Sequence, residues 1–391
     1  MLYYYPYASF DFLLGDDGLY FIEANAVSAG LYYTEMLARH VLMRRPNLKE
    51  NLLGLTIMED FIRLCSNYYS WLKGRRMRIL GISVPDSWKS YLGIERVELK
   101  RTAEKMGFKA VFVRKKSSAI IGSTLVSFEE GSGVIPDLVV RRTFKFPVGI
   151  KQPVINPSEA GIVTGSKWRT YKAVKEVTKI IPELKQPETH LAKNFDELEE
   201  ASLSIMNKGK EVVIKPSSEF GGRGVTVIRN PTDLKMLKNS INFTRPWIIQ
   251  EKIRTYPIRF EDGKIYPFDI RAYALNGKMA GVQVRRSSSE GIIVTNISAG
   301  GHLAPLLLDG DEIGPVHIGR TEFRFPSRVI VVDGTGIMLD RHTSNLLREA
   351  SMLISNEIER AVREKVSAKK IEGVHEKSSS HHYGDIVDQL Q

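Results

Sequence analysis

The chain has 391 residues, 56 Lys and Arg against 45 Asp and Glu, a formal charge of +11 and an apolar fraction of 42%, which gives room for two or three domains and favours anionic partners without choosing among nucleotides, acidic peptides and nucleic acid. No apolar run approaches the roughly 20 residues that span a bilayer, and the first residues lack a signal peptide's basic flank and cleavage site, so a cytoplasmic protein with no membrane partner is expected. Its one cysteine, Cys65, excludes an intramolecular disulfide and a thiolate metal cluster, and its apolar surroundings mark it as a buried structural thiol.

Ser9 to Leu14 reads as a strand, Gly15-Asp16-Asp17-Gly18 as a tight turn and Leu19 to Asn25 as a second strand. In that hairpin Asp11 faces Glu23 across the pair, and Asn25 shares Glu23's face because strand side chains alternate. Three oxygen donors on one surface suit Mg²⁺ that keeps open positions for phosphate oxygens; on these residues alone, an edge hairpin with solvated acids is the simpler reading. Leu31 to Leu72 is helical, interrupted at Pro46. Ile79 to Val84 is a buried strand, Glu95 to Met106 a helix with Leu99, Ala103 and Met106 on one face, and Ala110 to Val113 and Leu138 to Arg142 further strands, together a small α/β unit.

A second composite region begins near Thr164. Lys167 to Thr178 is helical, and Asn194 with Glu197 forms a capping box for a helix buried through Leu198, Ala201 and Ile205. Glu211 to Lys215 is a strand, Val225 to Ile228 another, and Asn230-Pro231 opens a helix. Trp247 to Glu251 and Phe268 to Leu275 are strands, and Asn276-Gly277 is a type I′ hairpin signal leading into Lys278 to Arg286. Residues 344–366 form a long amphipathic helix, and a disordered tail is expected from 367 to 391.

Between two of these strands runs Ser217-Ser218-Glu219-Phe220-Gly221-Gly222-Arg223-Gly224, preceded by Lys215. Glycines let the backbone approach a phosphate and turn its N–H groups inward, while a lysine ammonium neutralises charge. The lysine precedes the glycines and the loop joins two strands, so this is not a P-loop; an ordinary hairpin loop is the alternative. With a two-residue hairpin at Asn276-Gly277, Asp269 pairs with Val284 and Pro267 with Arg286, which puts Asp269, Arg271 and Arg286 on one face; a slipped register exchanges Arg285 for Arg286. The eight histidines form no zinc-binding spacing, and no aromatic-interleaved RNA motif accompanies the dispersed basic residues, so nucleic acid is not the expected partner. His302, after a glycine pair, reads as structural.

Several separated motifs together resemble the ATP-grasp superfamily. Gly165-Ser166-Lys167-Trp168-Arg169-Thr170 and Val213-Ile214-Lys215-Pro216 resemble its two lysine motifs, Gly221 to Val225 its flexible phosphate loop, and Ile249-Gln250-Glu251-Lys252-Ile253 its adenine-reading hinge strand. Phe268-Asp269-Ile270-Arg271, Arg285-Arg286 and Thr295 to Gly301 then follow as in ligases similar to glutathione synthetase and the ribosomal-protein-modifying enzymes. The Asp strand and Glu-x-Asn that end such a domain stand instead at Phe10 to Leu14 and Phe21 to Asn25, which resembles the circularly permuted members; a remnant of a truncated upstream domain is the competing explanation.

The resemblance implies an α+β and α/β molecule: residues 1–30 as permuted metal-binding strands, 31–74 as a helical connection, 75–160 as a Rossmann-like α/β domain preceding the ATP-grasp unit, and 161–366 as the ATP-grasp domain. It implies ATP and Mg²⁺ (or Mn²⁺) as cofactors, with Asp11, Glu23 and Asn25 on the metal. Lys167, Lys215, Gly221, Gly222, Arg223, Gly224, Gln250, Glu251, Ile253 and Asn296 would hold the nucleotide, and Arg271 and Arg286 would bind the γ-phosphate and the acyl substrate. The implied activity is a carboxylate-amine ligase that passes through an acyl phosphate, with a small-molecule or peptide carboxylate and an amine as partners. A phosphotransferase and a nucleotide-binding regulator without turnover are the alternatives.

Overall fold

The structure is a computed structural model that describes residues 5–26, 30–84, 92–129, 131–143, 149–219, 222–238, 240–325 and 328–375. The chain opens with a hairpin of β1 (Tyr7–Gly15) and β2 (Gly18–Asn25). Helices α1 (Leu31–Arg44) and α2 (Ile57–Lys73) follow, separated by a 3-10 turn that begins at Pro46, where the ring lacks the N–H a continuing helix needs. Helix α2 buries Ile57, Phe61, Ile62, Cys65 and Tyr69 along one stripe and closes on Gly74 at φ 65°.

A small parallel sheet comes next. Its elements are β3 (Ile79–Ser83), α3 (Leu92–Lys105), β4 (Lys109–Val113), then an antiparallel meander of β5 (Ser118–Ile121), β6 (Thr124–Glu129) and β7 (Ser132–Val134), then β8 (Leu138–Val140) and β9 (Val154–Ile155). The strand order is β4-β3-β8-β9, with every pair parallel. The meander is absent from the sequence reading. Gly122-Ser123 between two apolar runs is its hairpin signal, but its outer face leaves Ile121 63% and Phe128 43% exposed, so no clean buried alternation marks it.

Two helices, α4 (Ser158–Thr164) and α5 (Lys167–Ile180), and the short β10 (Leu184–Lys185) lead to a lobe built from β11 (Thr189–Ala192), α6 (Phe195–Met206), β12 (Val212–Pro216), β13 (Thr226–Ile228), α7 (Pro231–Leu237) and β14 (Trp247–Glu251). The strands form an antiparallel sheet in the order β11-β14-β12-β13. Asn194 Oδ1 accepts from the Glu197 N–H at 2.9 Å and the Glu197 carboxylate accepts from the Lys193 N–H at 2.8 Å, fixing the start of α6, whose Leu198 and Ile205 pack on Val212, Ile214 and Ile249.

The rest of the chain adds β15 (Phe268–Leu275), β16 (Lys278–Arg286), β17 (His302–Ala304), β18 (Leu306–Gly310), β19 (Gly314–His317), β20 (Thr321–Phe325), β21 (Arg328–Val332), β22 (Thr335–Asp340) and α8 (Arg341–His375). The main sheet runs β10-β2-β1-β15-β16-β17-β21-β20, so the opening hairpin is an interior part of it, with β1 antiparallel to β15. Leu347, Ala350, Ile354 and Ile358 of α8 share one core with Phe10, Phe12, Phe21 and Ile270, and the Tyr5 N–H donates to the Glu359 carboxylate at 2.9 Å. Helix α8 continues past residue 367, where the sequence predicts a disordered tail; residues 376–391 lie outside the described residues. Among the described residues no helix is long and apolar enough to cross a membrane.

The β15–β16 hairpin corrects one expectation. Asn276 (φ 49°) and Gly277 (φ 82°) make the two-residue turn, and Leu275 pairs with Lys278 as predicted. A β-bulge between Tyr273 and Ala274 then shifts the register, so Asp269 lies opposite Arg285 and Phe268 opposite Arg286. The extra residue is Ala280, and at Gly281 beside it, paired with Tyr273, an added Cβ would lie 2.5 Å from Ile57 and 2.9 Å from Thr34. The close seating of α1 and α2 on this strand thus goes with the extra residue. Arg286 therefore leaves the face of Asp269 and Arg271, and Arg285 takes its place.

Candidate active site

The site is built first from four adjacent strands, β2, β1, β15 and β16. Asp11 on β1 is paired on one side with Glu23 of β2 and on the other with Arg271 of β15. Its buried carboxylate accepts from Arg271 Nε and Nη2, both at 2.6 Å, and lies 3.0 Å from Arg285 Nη2. Arg285 in turn donates to Asp269 through Nε at 2.7 Å and Nη2 at 2.8 Å, and the Thr295 hydroxyl bonds the same carboxylate. The result is a buried row of alternating charge, Arg271, Asp11, Arg285, Asp269. Burial raises the Asp11 carboxyl, and the Arg271 and Arg285 guanidiniums more than offset it, holding the group well below the usual carboxylate range. Burial on its own would lower both arginines, but their acidic neighbours keep them charged.

Asp11, Arg285 and Asp269 of this row form part of the floor of a cavity of about 620 Å³ that runs between the main sheet and the β11–β14 lobe, within the size range of small-molecule sites, roughly 300–1,000 Å³. Asp11, Glu23, Asp269 and Arg285 line it from one side, and Lys215, Gln250, Glu251 and Ile253 from the other.

Lys215 stands at the end of β12, 7% exposed. Its ammonium donates to Gln250 Oε1 at 2.9 Å, and Gln250 Nε2 donates to the Thr189 hydroxyl at 2.9 Å. Burial and, next, the Lys167 cation push the Lys215 ammonium down to about 8, against an upward pull from Glu23 and Asp11. Lys167, at the start of α5, donates to the Glu219 carbonyl at 2.5 Å and lies 3.8 Å from a Glu23 oxygen, so it ties the segment after β12 to the acidic strand β2. Lys215 is thus a buried cation hydrogen-bonded to a neutral amide, with Lys167 as a second cation and Glu23 and Asp11 as the nearby anions.

Of the loop glycines, Gly221 lies outside the described residues. Gly222 lines the cavity at φ +77°, and a Cβ there would come within 2.5 Å of Val294. Gly224, at φ +71°, is not among the lining residues; a Cβ there would meet Pro216 at 2.9 Å. Arg223 is at the rim, its side chain 76% exposed and 3.3 Å from Glu219. Glu251 is ion-paired to Lys210, and Asn296 lines the cavity with its side-chain oxygen 3.5 Å from Arg285 Nη1.

The residues expected at the site thus divide. Asp11, Glu23, Lys167, Lys215, Gly222, Arg223, Gln250, Glu251, Ile253 and Asn296 line one cavity. Asn25 does not line it; its amide donates to Glu23 Oε1 at 3.4 Å. Arg271 is behind the wall, clamped on Asp11. Arg286 is on the opposite face of the strand, where Nε meets Asp333 at 2.6 Å and the guanidinium lies 4.2 Å from the Tyr266 ring. Arg285, which the sequence reading held only as the alternative to Arg286, faces the cavity, and the Thr189 hydroxyl that meets Gln250 was not singled out at all. A register slip was the only signal for the first, and nothing local marks the second.

No protein-family model matches the chain, and no curated protein matches it. Among solved structures, a protein provisionally assigned as a gamma-glutamylcysteine synthetase from Methylobacillus flagellatus KT is 11% identical with a TM-score of 0.57, over 92% of this chain and 90% of that one. A glutathione synthetase-like effector of Globodera pallida, in its apo form, is 13% identical with a TM-score of 0.45, over 73% of this chain and 75% of that one. A RimK-domain ATP-grasp protein of Sphaerobacter thermophilus is 13% identical with a TM-score of 0.37, over 72% and 99%. At these identities the likeness is one of fold, and it rests on the first of the three; the two lower scores carry no argument. The chain has the ATP-grasp fold, two α+β lobes about one cavity, accompanied by the small parallel α/β sheet.

Proposed function

We propose that the protein is an ATP-dependent carboxylate-amine ligase that uses Mg²⁺, forming an acyl phosphate and releasing ADP and phosphate. The observation that carries this reading is the convergence of Lys215 and Lys167 with Asp11, Glu23 and Arg285 in a single cavity. What supports the nucleotide is the chemistry of the donors: a buried ammonium held by a neutral amide, a second ammonium beside it, and a glycine at positive φ on the wall.

For the metal, Glu23 and Asp11 are two of the carboxylates that line the cavity and the two whose charge acts on Lys215, with Glu23 also beside Lys167, and one or two carboxylates completed by phosphate oxygens are what Mg²⁺ ordinarily takes. When bound, the ion neutralises phosphate charge. Glu23 is the freer of the two, its side chain 28% exposed, whereas Asp11 is oriented by two guanidiniums. Asn25, hydrogen-bonded to Glu23, would orient that carboxylate.

On this reading Lys215 and Lys167 hold the phosphates and offset their charge, and Arg285 presents a fixed guanidinium to the oxygens of the transferring phosphoryl group. Arg271 acts through Asp11, fixing its carboxylate. The acid substrate's oxygen attacks the γ-phosphorus, ADP leaves, and the amine displaces phosphate from the acyl carbon. Positioning and charge neutralisation do the work, with no side-chain nucleophile required. We further read the chain as circularly permuted; the interior place of β1 and β2 beside β15 supports this.

The test is release of ADP and phosphate from ATP in the presence of acid and amine libraries, with hydroxylamine as a trap for the acyl phosphate. ADP release that requires both an acid and an amine is the expected result. AMP and pyrophosphate as products would sink the reading, and a stable phosphorylated acceptor without amide would replace it by a phosphotransferase.

A further inference from the structure

Lys215 is held from the side away from the cavity floor by a short polar relay that no motif accounts for. On the β11-β14-β12 face, Thr189 is the cross-strand partner of Gln250, and Gln250 is the partner of Val213, two residues before Lys215. Thr189, Gln250 and Lys215 therefore project from the same face, with Gln250 diagonal to Lys215. The Thr189 hydroxyl donates to the Pro187 carbonyl at 2.7 Å, which spends its proton and leaves its oxygen as an acceptor. That oxygen takes the Gln250 Nε2 hydrogen at 2.9 Å, so the amide's other end, Oε1, is turned to the Lys215 ammonium at 2.9 Å. All three side chains are buried, Thr189 at 8% and Gln250 and Lys215 at 7% exposed.

An amide has two ends of similar shape and opposite polarity. Turned the other way, it would point N–H groups at an ammonium that can only donate, which in a buried setting costs a hydrogen bond and adds a repulsion. Nothing within Gln250 selects between the ends; the donor-only ammonium at one end and the Thr189 hydroxyl at the other, its own donor committed to Pro187, favour the same orientation.

We propose that Thr189 and Gln250 are positioning residues that aim and polarise the phosphate-facing ammonium of Lys215, with Thr189 acting only through the orientation of the Gln250 amide. The proposal rests on the ATP-binding reading of the cavity. It concerns the polyphosphate end of the ligand and not its base. The charged groups that act on Lys215 are Lys167 from α5, Glu23 from β2 and Asp11 from β1.

The test compares Thr189→Val, Thr189→Ser and Gln250→Leu in the full chain by calorimetric binding of ATP and of adenosine, together with the resonance of Lys215 in protein labelled at the lysine ε-carbon, assigned through Lys215→Arg. Thr189→Val and Gln250→Leu are each expected to weaken ATP about tenfold, near the worth of one hydrogen bond to a charged group, and Thr189→Val, which lies off the cavity wall, to leave adenosine unchanged. The double variant should lose no more than either single one, Thr189→Ser should restore wild-type affinity, and Thr189→Val should displace the Lys215 resonance while Thr189→Ser does not. Equal losses for ATP and adenosine in Thr189→Val, additive losses in the double variant, or an unmoved Lys215 resonance in Thr189→Val would overturn the proposal. Wild-type protein that binds no ATP would overturn the nucleotide reading instead, and the resonance of the free protein would still decide the relay.

Discussion

Asp269 lies directly across the β15–β16 pair from Arg285, and both oxygens of its carboxylate accept from that guanidinium, at 2.7 and 2.8 Å. The next residue, Arg286, turns to the other face and binds Asp333. Two adjacent arginines thus serve two separate ends, one in the cavity and one in a buried clamp with Tyr266 and Phe260.

Their variants should separate accordingly. Arg285→Lys keeps the charge and loses the planar fork, so turnover is expected to fall by about 10²–10³, the range for removal of one preorganised donor. Arg286→Met strands Asp333 without its cation and should cost about 3–5 kcal/mol of stability. Steady-state kinetics with denaturant melts of both proteins check this. A turnover defect in Arg286→Lys, with Arg285→Lys active, would return the role to the residue that the unbulged register favours.

Lys215 supplies a pH prediction. Burial, with Lys167 next, holds its ammonium at about 8 against an ordinary value of 10.5. Below pH 8 the group is already charged, so ATP binding takes up no proton there. Above pH 8 the free protein has lost that charge, and bound phosphate restores it. Affinity should therefore fall as pH rises past 8, and binding should draw up to one proton between about pH 8 and 10.5, measured by calorimetry in buffers of different ionisation enthalpy. Because the folded value is depressed, the same group destabilises the fold at lower pH and ceases to do so as pH rises through that window. Lys215→Met should abolish the proton uptake.

How far the sequence carries depends on range. The hairpin at Asp16-Asp17, the Asn194 cap, the Gly74 and Gly107 stops and the Asn276-Gly277 turn are set by residues a few positions apart, and each is found where local chemistry puts it. Lys215, Glu23 and Asp11 were legible because strand ends and alternation decide where they point. The failures are tertiary in origin. The bulge at Tyr273 accompanies the packing of Thr34 and Ile57 on Gly281, more than two hundred residues away in sequence for each, and no hairpin rule contains it. Asn25 shares a face with Glu23 but sits one pleat beyond the cavity, a distance alternation cannot measure. Thr189 carries no local mark because its role depends on a neighbour 61 residues on.

The loop glycines make a prediction about backbone. Gly222 has φ +77°, and an added Cβ would stand 2.5 Å from Val294 Cγ1 and 3.3 Å from the Asn296 amide nitrogen. Gly222→Ala is expected to weaken ATP roughly tenfold, since the left-handed conformation costs a side chain about 1–2 kcal/mol and the methyl crowds the wall. Adding Val294→Ala should recover only part of the loss, because it relieves the crowding and leaves the backbone strain. Full recovery in the double variant would show that the contact, and not the φ angle, is what glycine serves.

The metal reading is tested most sharply by contrasting neighbours on one strand. Glu23 lines the cavity beside Lys167, whereas Asn25 lies outside it and reaches the site only through Glu23. Glu23→Gln removes a charge with little change in volume from a side chain that is 28% exposed, so folding should be nearly unaffected. Turnover should fall by at least about 10²-fold and the Mg²⁺ needed for half-maximal rate should rise. It should also lower the Lys215 ammonium further, since the Glu23 carboxylate is one of the two groups pulling it up. Asn25→Ala should cost about tenfold, the low end of the range for a group that only orients a ligand. Metal titrations of the rate in the two variants decide the matter: equal, severe losses would make Asn25 a direct ligand, and a Glu23→Gln protein with unchanged Mg²⁺ dependence would take the metal off β2 altogether.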